Sequence, residues 1–135
     1  MPSVVINWWA VLVAAGVNMV VGAVWYSPML FAKQWAKLTG RKMNEMGDGS
    51  TSYLITTAGA LIQGLILSYI IGWSGVSTAM KGAYLGLLIW LGFVAITQGV
   101  NTVFAGTRKK LWAINVGYFL VVLVINGAIL AVWRG

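Results

Sequence analysis

The chain has 135 residues, room for one domain, and 60% of them are apolar while 8% are charged, against about 25% charged in an average soluble domain. A soluble fold this short leaves too much surface exposed to hide that apolar content, so a soluble globular domain is excluded and lipid is implied. Nine Lys and Arg against Glu45 and Asp48 give a net charge of +7, and the absence of Cys and His excludes disulfides, thiol chemistry, Cys/His metal sites and histidine acid–base catalysis.

The first apolar run covers about residues 4–26. It has no basic segment before it and is too long for the core of a signal peptide, so it reads as a membrane span. Further runs cover about 53–72, 82–104 and 111–133. Each has about 20 residues or more, enough for a helix to cross a hydrocarbon core of about 30 Å. None contains Asp, Glu, Lys or Arg, and none has the polar face that a soluble bundle helix needs. The expected architecture is all-α: one domain, 1–135, built as a bundle of four transmembrane helices. Trp8 and Trp9 open the first run, Trp25 and Tyr26 close it, Tyr53 and Trp73 bracket the second, and Trp112 and Trp133 bracket the fourth. Such rings favour the headgroup layer, where the polar atom stays wet.

The first connection carries structure of its own. Ser27-Pro28 resembles a cap followed by proline at the first helical position. From there Phe31, Trp35 and Leu38 share a face, Lys33 and Lys37 take the opposite one, and Gly40 can end the helix. A short amphipathic helix over about 28–38, lying in the interface, is expected. The polar stretch after it reads as a loop, and Ser50, Thr51 or Ser52 can cap the second span.

Loop charges set an expected orientation. The first connection holds Lys33, Lys37, Arg41 and Lys42, the third holds Arg108, Lys109 and Lys110, and the second holds no base except Lys81 at its edge. The side rich in bases is expected in the cytoplasm, with both termini outside; the expected location is a bacterial inner membrane, and the expected partners of these bases are anionic lipid headgroups.

Small residues four apart mark faces for close helix packing: Ala10, Ala14, Asn18 and Gly22; Thr56, Ala60, Gly64, Ser68 and Gly72; Gly82 and Gly86; Ala95 and Gly99. The stripe in the second run predicts tight contact, with a partner in the same chain or in a second subunit. Homo-oligomerisation is expected as well, because a single four-helix unit leaves little room for a wide pore. Gly16-Val17-Asn18-Met19-Val20 echoes Gly99-Val100-Asn101-Thr102-Val103, which raises a duplication of two-helix units or a chance match.

The polar groups inside the runs are the only candidates for chemistry: Asn18, Gln63, Thr97, Gln98, Asn101, Asn115 and Asn126. Asn115 and Asn126 lie eleven residues apart, about three turns, and so share a face. Two readings stand side by side. These amides can bond across helices and fix the register of the bundle. They can instead line a passive path for a small polar or anionic solute, since amides offer donors and acceptors without charge. The second reading makes the protein a channel or facilitator; the alternative is a non-transporting scaffold or accessory subunit. No span carries the carboxylate of a proton-coupled pump or a base for a nucleophile, so no catalytic residue, metal site or cofactor is expected.

Two stretches carry a resemblance. Asn7-Trp8-Trp9-Ala10, and Gly22-Ala23-Val24-Trp25-Tyr26-Ser27-Pro28 followed by Phe31-Ala32-Lys33-Gln34-Trp35, resemble a bacterial family of small four-span membrane proteins, domain of unknown function 1761. The specific part is the first forty residues, and the four-helix plan extends it over most of the chain. The resemblance implies a compact four-helix membrane domain and no known activity. Trp25, Tyr26, Ser27 and Pro28, with Phe31 and Trp35, also have a physical reading as an interface anchor. Pro28 forces Ser27 out of helical geometry and ends the span, while the rings hold that end in the headgroups.

Overall fold

A computed structural model of the chain describes residues 4–25, 33, 37, 50–106 and 108–133. Four long helices account for nearly all of them: α1 (Trp8–Trp25), α2 (Ser50–Ser74), α3 (Ala79–Ala105) and α4 (Lys109–Val132). Each is long and apolar enough to cross a membrane. The expected interfacial helix over 28–38 lies outside the described residues, apart from Lys33 and Lys37, which are helical and exposed.

Local chemistry explains the ends. Residues 4–7 are not helical, so α1 starts later than the apolar run. The cause is Asn7, whose Oδ1 accepts from the backbone N–H of Trp9 (3.1 Å) and Ala10 (3.3 Å) and caps the helix. Asn7 Nδ2 donates to the Trp133 carbonyl at 3.4 Å and ties this end to the exit of α4. α2 already runs from Ser50, so Ser50, Thr51 and Ser52 sit inside its first turn and not at a cap. The α2–α3 turn uses Gly75 at φ 76°, while Ser74 Oγ donates to the Ile71 carbonyl (2.8 Å) and accepts from Val76 N–H (3.3 Å). Thr78 Oγ1 caps α3 by accepting from Lys81 N–H at 3.2 Å, and Gly106, left-handed at φ 70°, ends it.

α3 is not uniform. Trp90–Ala95 is wound as a π-helix, and the Ile96 N–H bonds the Leu91 carbonyl. The wider winding shifts the faces of the second half of α3 relative to the first.

α4 is the hub, touching α1, α2 and α3, whereas α3 packs chiefly on α4. The closest crossing is α3 on α4. A Cβ on Gly82 would strike the Gly127 carbonyl, one on Gly86 the Leu123 carbonyl, and one on Gly127 the Gly82 carbonyl. Backbone lies directly on backbone, the geometry that small residues four apart permit in lipid. The α2 stripe finds its partner within the chain. Ala60 and Gly64 are buried, and a Cβ on Gly64 would lie 3.5 Å from the Val11 carbonyl and 3.6 Å from the Ala14 methyl. Thr56, at the other end of that stripe, is exposed. Ala10, Ala14, Leu67, Ile71, Leu123, Leu130 and Ala131 form the core where α1, α2 and α4 meet.

Candidate functional site

One polar cluster sits in this core. Asn18 in α1, Gln63 in α2 and Tyr118 in α4 each lie within a turn of the midpoint of their helix. Asn18 Nδ2 donates to Gln63 Oε1 at 2.8 Å. The Tyr118 hydroxyl faces both oxygens of Asn18, the backbone carbonyl at 2.9 Å and the side-chain Oδ1. Asn18 and Tyr118 are buried; Gln63 is half-buried. Gly22 makes room for the ring, because a Cβ there would lie 3.3 Å from the Tyr118 oxygen.

Asn126 forms a second level, two turns beyond Tyr118 on the same face of α4. It is 2% exposed, and its Nδ2 donates to the Ala14 carbonyl of α1 at 3.1 Å. Its Oδ1 has no hydrogen-bond partner among the described residues.

Of the six amides singled out in the sequence, Asn18 and Gln63 are therefore brought together and Asn126 joins the same three-helix core. Gln98 and Asn101 are not brought in: Gln98 is half-buried, and Asn101, like Thr97, is exposed toward the end of α3. Asn115 is half-buried on α4. The echo between Asn18 and Asn101 is not repeated in packing, since one is buried at mid-helix and the other exposed near a helix end. Tyr118 belongs to the site although attention to amides alone passes over it. Its signal was there: a hydroxyl-bearing ring at mid-span, eight residues before Asn126.

Of the expected anchor residues, Trp25 is described. Trp25 is half-buried, and its indole N–H donates to the Ile114 carbonyl of α4 at 2.8 Å, so its polar atom is held by protein instead of headgroup water. Trp90 Nε1 donates likewise to the Val116 carbonyl (2.7 Å) and Trp112 Nε1 to the Ala95 carbonyl (3.1 Å). Glycine opens the space beneath two of these rings: a Cβ on Gly117 would lie 3.0 Å from Trp25, and one on Gly99 3.4 Å from Trp112. Tyr26, Ser27, Pro28, Phe31 and Trp35 lie outside the described residues. Trp8 and Trp9 are exposed. Arg108, Lys109 and Lys110 are exposed at the start of α4, at the positive end of its dipole; Arg41 and Lys42 lie outside the described residues.

The cluster thus offers amides and one phenol, and no carboxylate, amine or imidazole. A family model described as a protein of unknown function, DUF1761, matches residues 9–131. The chain belongs to the DUF1761 family. No curated protein and no solved structure matches it. The DUF1761 domain takes in α1 from its second residue through α4 to its penultimate one, so Asn18, Gln63, Tyr118 and Asn126 all fall within it.

Proposed function

We propose that this DUF1761 protein is a non-transporting membrane scaffold or accessory subunit, in which the intramembrane amides hold helices together. The observation that carries this reading is how those amides are used. Asn18 bonds Gln63 and Tyr118, and Asn126 bonds the Ala14 carbonyl, so three helices are tied across the core. Gln98 and Asn101 lie apart from this cluster and do not extend it toward the basic end. Interhelical bonds of this kind contribute about 0.6–2 kcal/mol each and specify geometry. The reading includes no catalysis: the core presents no general base.

The orientation belongs to the same proposal. The exposed Lys33, Lys37, Arg108, Lys109 and Lys110 face the cytoplasm, most simply of a bacterial inner membrane, and pair with anionic lipid headgroups. Both termini then lie outside, which reporter fusions at the C-terminus test: a cytoplasmic-type signal there contradicts the orientation.

A second reading, a passive facilitator for a small polar or anionic solute, is favoured by one observation. The buried Asn126 Oδ1 is an acceptor without a partner among the described residues, and a polar solute with a donor group would satisfy it. Purified protein in sealed vesicles separates the two. Under an osmotic step with glycerol or urea, or an imposed chloride or nitrate gradient, the scaffold reading predicts the flux of protein-free vesicles. A protein-dependent, saturable flux contradicts it and supports the facilitator.

A further inference from the structure

The lipid-facing side of α2 has an order that the bundle does not use. Thr56, Gly59, Gln63, Ile66, Ile70 and Trp73 follow one another at spacings of three and four residues. That alternation is the seam of a left-handed helix pair. Thr56, Gly59, Ile66 and Trp73 are exposed, and Gln63 and Ile70 are half-buried at the edge of the core. A Cβ on Gly59 would meet nothing within 4 Å, so the backbone is open to close approach at that point.

Gln63 gives this seam a chemical demand. Its Oε1 accepts from Asn18, while its Nε2 has no partner among the described residues. The residue lies one position from the midpoint of α2, where a bilayer offers neither water nor headgroups. Lipid tails can cover the isoleucines but cannot accept from an amide. A second copy of the chain can. Copies inserted the same way are related by a two-fold axis along the membrane normal, so α2 meets α2 in parallel and Gln63 meets its counterpart near the axis. Each Nε2 then donates to the other copy's Oε1, whose second lone pair is still open after the bond from Asn18.

We propose that the protein forms a symmetric homodimer through this face of α2, with Gly59 as the point of closest approach and a reciprocal amide pair at Gln63. The seam places a polar residue at one core position of an otherwise apolar or small-residue interface, the arrangement that sets register and partner number in helix pairs. The inference goes beyond the scaffold reading and stands or falls separately from it, since a facilitator could dimerise in the same way.

The full chain in lipid vesicles tests it. The native sequence has no Cys, so single cysteines report contact directly. Gly59→Cys and Ile66→Cys should give disulfide-linked dimers on mild oxidation, whereas Val13→Cys on α1 and Leu88→Cys on α3, both exposed, should not. Dilution in lipid, followed by single-molecule photobleaching, should show Gln63→Leu weakening the dimer on the order of tenfold, from the loss of two interhelical bonds. Gly59→Leu should abolish it. Because a Cβ on Gly59 meets nothing within 4 Å among the described residues, Gly59→Leu keeps the near-UV circular dichroism of the parent and separates lost pairing from lost fold. A monomer at every protein-to-lipid ratio overturns the proposal. So does a dimer that survives Gly59→Leu, or one that cross-links through Val13→Cys or Leu88→Cys and not through α2.

Discussion

Asn18 and Gln63 join α1 to α2 by a 2.8 Å amide hydrogen bond placed near the middle of both helices. Removing either partner leaves the other polar in a core with little water to replace it. Asn18→Leu and Gln63→Leu should each destabilise the folded protein in lipid. Their double-mutant cycle should show a coupling of about 0.6–2 kcal/mol, measured by reversible denaturation in mixed micelles. Strict additivity would mean that the bond does not contribute.

Tyr118→Phe asks what the third member adds. The ring stays and the hydroxyl facing Asn18 goes, so packing is nearly conserved. The expected loss is about 1 kcal/mol. Coupling to Asn18→Leu should be clear, because Tyr118 reaches the cluster through Asn18. An unchanged stability in Tyr118→Phe would place the hydroxyl outside the network.

The glycines divide into two groups with opposite expectations. In Gly82→Ala, Gly86→Ala and Gly127→Ala the new methyl meets backbone carbonyls that no side-chain rotation can move. Each should cost about 2–3 kcal/mol or force α3 away from α4. Gly16→Ala and Gly92→Ala meet nothing within 4 Å among the described residues and should be neutral or stabilising by up to about 1 kcal/mol. Thermal unfolding of the five variants in one detergent checks the contrast; equal losses in both groups would contradict the packing.

Trp25 and Trp8 should differ although both lie at ends of α1. Trp25→Phe removes the bond to the Ile114 carbonyl and should cost about 1 kcal/mol, with α1 loosened from α4. Trp8 is exposed, and Trp8→Phe should change stability by no more than about 0.5 kcal/mol. Fluorescence-monitored unfolding distinguishes them.

These contrasts also mark what was legible in the sequence. Four uncharged apolar runs and small residues four apart read directly onto helices and onto contacts such as Ala10 and Ala14, whereas the Asn7 cap, which starts α1 later than its run, was not anticipated. Which way each helix faces did not. In lipid both the inward and the outward side of a span are apolar, so the periodicity that orients a soluble helix is lost. Small size alone does not replace it: Gly82 and Gly86 are buried, while Gly16 and Gly59 are exposed. Nor does an amide by itself. Asn18 and Asn101 share a local sequence, yet only the packing of α1 on α2 and α4 separates their surroundings. The inward turn of Trp25 depends on Gly117 of another helix, and the π-helical Trp90–Ala95 holds Gly92 but no proline to announce it.

The central claim is that the mid-membrane amides serve helix packing and meet no open water path. Single cysteines at Asn18, Gln63, Gln98 and Asn126, with Arg108→Cys in the α3–α4 connection as an exposed control, test it with a water-soluble thiol reagent on the folded protein in vesicles. The account predicts that Asn18→Cys and Asn126→Cys stay unlabelled until the protein is denatured, while Arg108→Cys reacts from the basic side. Rapid labelling of both Asn18→Cys and Asn126→Cys in the folded state would contradict it and give these amides to a solute.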